Sequence, residues 1–425
     1  MPRADSSTAQ GRARASVLDR ALSTSRTISV TGPMAPLDLD LIRTRLTQAC
    51  TPTSRLTLVP DPASKTWAHD VTTAPEVCDR PDLADLPIGE IMTRLRNRPD
   101  PLPRLEVLVC GQWLVIDHTH GMGDGRLGIE QIAGVASRHD FPMTERFERS
   151  LPADAAWQAF RRHVLRHPRR LRDIMRLRSA NATAPGDHPV RTITDWRSSR
   201  CAVTTAMRPG QTAELKRAIA DTGVRMSSAA VTVALWRTAL AAQGVALDER
   251  TQILFDCRRY LDADHAEDHG NFAVGIPLRF PAGATPMEIG DRIRSVAESG
   301  WPAAVLAAGE LRERVRPSKP GSDPGQEPER VEVPDRLRLS VSDLGRIAIF
   351  GDIPWEPAAA SHHLFAYVEP DGPDAASMLV SEIDGSRSFT TTFCSDFIGR
   401  SVIEAALDHL CEDPVSLLNQ LLTRS

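Results

Sequence analysis

Apolar residues along this chain come in short strand-like runs separated by stretches of helical spacing, the alternation expected of an α/β protein. A strand begins at Thr27 to Val30, and Leu39, Leu41, Ile42, Leu46 and Ala49 predict a helix within 37–50. Leu56 to Val59 reads as a short strand and Ile88 to Arg96 as a helix. Leu105 to Cys110 and Trp113 to Ile116 predict a hairpin turning on Gly111 and Gln112, and Leu127 to Ala136 a helix with Gly128, Ile132 and Ala136 on one face. Beyond it, Arg200 to Thr205 predicts a strand and Gln211 to Ala220 a helix, and Ser227 to Ala242 is a helix apolar enough to be buried. Gln252 to Leu261 opens as a strand, and Thr285 with Glu288 three residues on caps a helix that runs to Ser299. Leu337 to Gly345 reads as a strand and turn. Ala376 to Ile383 and Ser388 to Cys394 pair across Asp384-Gly385, and Gly399 to Cys411 closes the chain as a helix.

Ala180 to Pro189 reads as a linker, which places the boundary near residue 185 and divides the chain into subdomains 27–185 and 186–425. Residues 1–26, rich in Ser, Arg and Ala and lacking an apolar signal core, predict a disordered lead-in. The Pro- and Gly-rich stretch Pro317 to Pro334 predicts a surface excursion, with a lid as the alternative.

Composition narrows the class. The 425 residues are 41% hydrophobic and 25% charged, with a net charge of −4, which is ordinary for a globular enzyme and wrong for a nucleic-acid binder. No run of about 18 apolar residues would span a membrane. Seven cysteines, odd in number and without a C-x-x-C pair, predict a reduced, cytoplasmic setting and no zinc site. His265 and His269 around Glu267-Asp268 have the spacing of a helical metal pair, but Gly270 and Asn271 follow, and a surface loop is the favoured reading. Trp157 to Arg178 carries arginines at 161, 162, 166, 169, 170, 172, 176 and 178. That stretch suits coenzyme A phosphates, an acidic carrier protein or an anionic membrane surface. The favoured reading is a solvated helix face with Phe160, Val164 and Leu165 turned inward.

The candidate chemistry sits in W-L-V-I-D-H-T-H-G-M-G-D-G-R-L-G, Trp113 to Gly128. An apolar strand runs into a turn holding His120, Asp124 and Gly125, with Gly121, Gly123 and Gly125 supplying unusual backbone angles. A histidine held at such a turn can take a proton from an alcohol or amine as it attacks a carbonyl. His118 shares a strand face with His120 and is a second candidate for the same cavity. His362 and His363 read as solvated loop residues.

H-x-x-x-D-G after an apolar strand resembles the signature of the chloramphenicol acetyltransferase-like superfamily, which includes condensation domains, BAHD acyltransferases and polyketide-associated acyltransferases. Thr119 stands where many members carry a second histidine, as in BAHD-type enzymes that use one. Further along, D-C-R-R at 256–259, G-N-F at 270–272 and S-D-L-G at 342–345 resemble superfamily segments in the same order, and the L-D-R-A-L opening at 18–22 resembles the start of the polyketide-associated group. The resemblance implies two mixed sheets with flanking helices and an active-site tunnel between the subdomains. It implies His120 as base, Arg258 paired with Asp124 to lock the turn, and a hydroxyl across the cavity, Ser342 or its same-face neighbour Ser340, as oxyanion donor.

The implied reaction is acyl transfer from a thioester, acyl-coenzyme A or an acyl or peptidyl carrier protein's phosphopantetheine arm, to the hydroxyl or amine of a small molecule in natural-product biosynthesis. It requires no permanently bound cofactor, metal or nucleic acid. The alternatives are a non-catalytic relative that recruits a carrier or partner protein, and a cyclase or hydrolase on the same fold.

Overall fold

The structure, a computed structural model, describes residues 11–99, 101–182, 189–315 and 330–423. The first half contributes strands β1 (Arg26–Gly32), β2 (Glu76–Asp79), β3 (Leu105–Cys110) and β4 (Trp113–Thr119). Its helices include α1 (Val17–Ala21), α2 (Leu39–Ala49), α3 (Ile88–Arg96), α4 (Gly125–Ala136), α5 (Ala155–Phe160) and α6 (Arg169–Ala180). The second half contributes β5 (Arg200–Met207), β6 (Leu247–Asp256), β7 (Ala273–Arg279), β8 (Leu337–Arg346), β9 (His363–Val368), β10 (Ala375–Ile383) and β11 (Ser386–Cys394). Among its helices are α7 (Ser228–Ala242), α8 (Pro286–Ser299), α9 (Trp301–Val315) and α10 (Arg400–Glu412).

Two mixed sheets result. A five-stranded sheet runs β9-β1-β4-β3-β2, and a six-stranded sheet runs β7-β6-β8-β10-β11-β5. In the second sheet β8 lies parallel to both β6 and β10, and the other pairs are antiparallel. Helices α2 and α4 cover one face of the first sheet around Ile42, Leu46, Ile116 and Ile132, while α3 covers the other around Val30, Ile91 and Val115. Helix α7 is buried along most of its length, as its apolar sequence requires, and Ser227 accepts a hydrogen bond from Ala230 N at its start. The β10–β11 turn has Asp384 at φ 49° and Gly385 at φ 82°, the left-handed pair that a two-residue hairpin needs.

Strand β9 changes the domain division. It comes from the second half, yet pairs antiparallel with β1, His363 opposite Gly32 and Tyr367 opposite Ile28. On its far side Thr390 Oγ1 accepts from Ala366 N at 3.2 Å, and Ser381 Oγ donates to the Leu364 carbonyl at 2.7 Å. The subdomain drawn as 27–185 is therefore completed by residues 363–368, and the two halves interlock. His363, expected in a loop, stands on this strand, its ring stacked on Phe365 at 5.4 Å. Burial pushes its pKa down to about 4.

The lead-in reading also needs correction from residue 11 onward. Arg12–Arg14 form a strand paired with Thr66–His69, and α1 follows with a Ser16–Asp19 capping box. Asp19 is buried and bonded to both halves, so this segment is held by polar partners that an apolar pattern does not reveal. Residues 1–10, the boundary near 185 and most of the 317–334 stretch lie outside the described residues, though Arg330–Pro334 pair as a strand with Val190–Thr194. In the arginine stretch Val164 is buried, but Leu165 is 44% exposed: a π-helical segment at Arg161–Leu165 shifts the register and turns it outward. No helix among the described residues is long and apolar enough to cross a membrane, and all seven cysteines are free.

Candidate active site

Strand β4 runs three residues further than its apolar stretch, to Thr119, because its polar residues find partners inside the protein. Asp117 accepts from Arg26 Nε at 2.8 Å and from Arg98 at 2.9 Å. His118 is fully buried, its Cε1 only 3.5 Å from where a side chain on Gly128 would begin. Both its ring nitrogens are enclosed without a partner, and burial pushes its pKa down to about 3, so the ring is neutral. It is a packing residue beneath α4 rather than a second cavity histidine. Thr119 Oγ1 donates to the Ser23 carbonyl at 2.7 Å, which fixes the end of the strand.

His120 opens the turn. Its backbone N donates to Ser25 O at 2.8 Å, and its carbonyl accepts from Asn271 Nδ2 at 2.8 Å. The ring is half-buried, with Nδ1 enclosed and without a partner. The turn glycines are needed for space rather than for angle, since none of the three adopts a left-handed conformation. A Cβ on Gly121 would stand 2.8 Å from Ser23 Cα, and one on Gly123 2.8 Å from Leu127 Cδ2. At Gly125 the nearest atom would be Leu344 Cδ2 at 3.3 Å, so the close approach there is to the end of β8.

Asp124 caps α4, accepting from Arg126 N at 3.3 Å. Arg258, in the turn after β6, grips the same carboxylate, Nη1 to Oδ2 at 2.8 Å and Nη2 to Oδ1 at 3.3 Å, and Phe272 N adds a bond at 3.2 Å. The remaining Arg258 donors reach the Asp268 and Gly270 carbonyls, both at 2.9 Å, and the Asp256 carboxylate at 3.3 Å. Burial alone would raise the Asp124 pKa, but the guanidinium and these hydrogen bonds outweigh it and hold the carboxyl below its ordinary range. Asp124 is thus a fixed anion whose lone pairs are taken, unsuited to moving protons.

Three residues that the sequence reading gave no role support the same turn. Asp19 Oδ1 accepts from Asn271 N at 3.1 Å and Asn271 Nδ2 at 2.9 Å, and Arg55 reaches it at 3.4 Å. Arg55 Nε also donates to the Met122 carbonyl at 2.6 Å. Asp19 and Asn271 do lie in the L-D-R-A-L and G-N-F segments that carried the resemblance; Arg55 had no signal of its own.

A second buried contact lies further along α4. Glu130 faces His269 Nε2 at 3.3 Å, Arg126 at 2.9 Å and Arg146 at 3.3 Å. His269, read as a surface-loop residue, is fully buried and packs its ring against Phe147. His265 is bonded to Asp268 instead, so the pair is not placed to share a metal, and no cluster of three ligating side chains occurs among the described residues.

Ser342 is half-buried on β8, paired with Leu379, two residues before the Leu344 that meets Gly125. Its neighbour Asp343 faces the other way and is bonded to Ser228 Oγ at 3.0 Å and Arg387 at 3.4 Å. The charge beside Ser342 is therefore neutralised on the opposite face of the strand. The structure gathers His120, Asp124, Gly125 and Arg258 into one unit and brings the end of β8 against it.

A cavity of about 360 Å³ opens where the halves meet, between α1, α5, α9 and residues 270–274. Neither His120 nor Ser342 lines it; Asp19 and Asn271, which hold the turn, do.

No protein-family model matches the sequence, and no curated protein sequence does either. Solved structures do match the fold. The epimerization domain from the third module of tyrocidine synthetase B superposes with a TM-score of 0.61 at 13% identity, covering 97% of this chain and 98% of that one. The condensation domain of the Monacolin K polyketide synthase MokA gives 0.61 at 13%, covering 97% and 98%. TRI3 trichothecene 15-O-acetyltransferase from Fusarium sporotrichioides gives 0.61 at 11%, covering 96% of each chain. The chain has the two-lobed fold common to these condensation-type domains and this acetyltransferase, the fold that the H-x-x-x-D-G resemblance implied.

Proposed function

We propose that the protein is an acyltransferase that moves an acyl group from a thioester, on coenzyme A or a carrier-protein phosphopantetheine arm, to a hydroxyl or amine of a small molecule. His120 takes the acceptor proton, the acceptor oxygen or nitrogen attacks the thioester carbonyl, and the tetrahedral intermediate collapses with cleavage of the carbon–sulfur bond. The proton then passes from the imidazolium to the departing thiolate. Ser342 donates to the oxyanion, a contribution of about 3 to 4 kcal/mol for a well-aimed donor. Asp124, Gly125 and Arg258 position the turn and do not exchange protons. No metal ion and no covalent acyl-enzyme enters this scheme, and natural-product biosynthesis is the setting the fold's neighbours favour by analogy.

The observation that carries the reading is the division within the turn: the Asp124 carboxylate is committed to Arg258 and Phe272, while the His120 ring is only half-buried and makes no hydrogen bond at Nδ1. The test is thiol release from a panel of acyl-coenzyme A thioesters offered with mixed alcohols and amines, wild type against His120→Ala. Release that requires both an acceptor and His120 is the expected result. Silence across the panel, then across the same acyl groups on carrier proteins, from a folded protein, removes the transferase reading.

A further inference from the structure

Away from the catalytic turn, the second half buries a cation that has no countercharge. Arg237, on α7, is only 9% exposed. Its Nη1 donates to the Asp248 carbonyl at 3.1 Å and to Thr251 Oγ1 at 2.9 Å, and its Nη2 to the Phe280 carbonyl at 3.0 Å. All three acceptors are neutral, and two of the five N–H groups of a guanidinium are left over. The Asp248 carboxylate is turned instead to Arg250, whose backbone N it meets at 2.7 Å. Burial pushes the Arg237 pKa down, and Asp248 and Glu249 offset only part of that. A cation taken out of water in this way is costly until an anion meets it.

A second arginine stands beside the first. Arg336, half-buried just before β8, donates from Nη1 to the carbonyl of Leu247, the residue next to Asp248, at 3.3 Å. Neither arginine forms an ion pair with any described residue, and Arg237 Nε has no partner there and is not sealed from the surface. Consecutive carbonyls at the start of β6 thus hold both guanidiniums, where the pairing of β6 with β8 shifts register between Leu247 and Thr251. Both arginines line a cavity of about 420 Å³ between α7, the start of β6 and residues 282–284, a volume usual for small-molecule sites. Its other lining is largely small and apolar, with Ala234, Ala241, Val245 and Leu247. Glu249 is the one carboxylate in the wall, and it is committed to Arg279 at 2.6 Å. The cavity is no extension of the catalytic turn: Ser228 at the start of α7 bonds Asp343, beside Ser342, whereas the cavity lies towards the other end of the helix.

We propose that this cavity binds an amphiphilic anion, its carboxylate or phosphate head held by Arg237 and Arg336 and its medium-length apolar chain lying along Ala241, Val245 and Leu247. The head supplies the charge that Arg237 lacks, and the alanines of α7 leave room for the chain. The site rests on no part of the acyl-transfer reading, and its test reads binding alone.

The probes are decanoate and decyl phosphate, with decanol as the uncharged control, titrated by calorimetry into the full-length protein. At least one anion should bind with one-to-one stoichiometry and raise the melting temperature, with decanol weaker by about tenfold or more; the tighter anion names the head group. Arg336→Gln should melt as wild type does and weaken the anion by about tenfold. Ala241→Trp, at an exposed helix position, narrows the cavity and should weaken it similarly. His120→Ala should bind as wild type does. No binding by either anion overturns the proposal, as does decanol binding as tightly as the anions, or an anion that Arg336→Gln binds as tightly as wild type. Binding lost in His120→Ala and kept in Arg336→Gln places the ligand at the catalytic turn and overturns it too.

Discussion

The start and the middle of α4 are tied to the same segment of the second half by opposite kinds of contact. At its start, Asp124 meets Arg258 in a two-pronged pair whose other donors and acceptors are matched by backbone groups and, at Arg258 Nη1, by the Asp256 carboxylate at 3.3 Å. Nearly two turns beyond, Glu130 meets His269 at 3.3 Å with ring nitrogens that make no well-formed hydrogen bond, and two arginines supply countercharge. The first tie is permanent and geometrically closed; the second is looser and shares its carboxylate among three partners. The difference matches position. The closed tie lies four residues from His120, where displacement of the turn would move the base, and the looser one lies where α4 only needs to stay docked.

Breaking the closed tie should have the largest effect. Asp124→Ala removes the buried countercharge of Arg258, leaving only the exposed Asp256 carboxylate at 3.3 Å, and removes the cap of α4, a loss of about 3 to 5 kcal/mol. Urea unfolding should show it directly, with activity lost in parallel. An Asp124→Ala protein that melts normally and is merely inactive would assign Asp124 to the chemistry instead. Gly121→Ala attacks the same turn by sterics: its Cβ would stand 2.8 Å from the Ser23 Cα, a backbone atom that cannot rotate away. The expected cost is about 1 to 3 kcal/mol, with thiol release falling further than stability alone explains.

The looser tie should break more gently. Glu130→Gln keeps the shape but removes the charge facing His269, Arg126 and Arg146, and should cost about 1 to 3 kcal/mol at neutral pH. Its pH dependence follows from sign. Burial tends to raise the Glu130 pKa, but His269 and the arginines more than offset this and hold it below its ordinary value. The stabilisation is therefore complete above the unfolded value of about 4.3 and lost as pH falls through the lower folded value. Urea midpoints from pH 3 to 7 should decline less steeply at the acid end in Glu130→Gln than in wild type. Equal slopes would mean that Glu130 gains nothing from its partners.

How much of this was legible in the sequence follows the range of each interaction. The hairpin that delivers His120, the Thr285 cap and the Asp384-Gly385 turn are local and were readable from spacing. The Asp124–Arg258 pair spans 134 residues and was placed only because a family resemblance linked two short segments. Strand β9 was missed because His363 to Val368 pairs with Gly32 to Thr27, more than 300 positions away, and a polar histidine pair masks its start. His269 was misread for the same reason. Its burial depends on Glu130 and Phe147 from the other half, and nothing beside it in sequence announces them.

Between the two ties, α4 rests on His118 through Gly128, and here the contact behaves as an apolar one although the residue is not. His118 has no hydrogen bond to lose, so His118→Leu should leave stability at pH 7.5 nearly unchanged. Acid should separate the two proteins. Unfolded chain binds a proton at His118 below about pH 6.5, while the folded chain resists until about 3, so wild-type stability falls across that interval. At pH 5 the difference amounts to about 2 kcal/mol in favour of His118→Leu. Urea midpoints at pH 7.5 and 5.0 decide the matter. If the variant is weaker at both, His118 holds α4 by a bond of its own, and the helix is tied at three places; if it gains at pH 5, the two polar ties suffice.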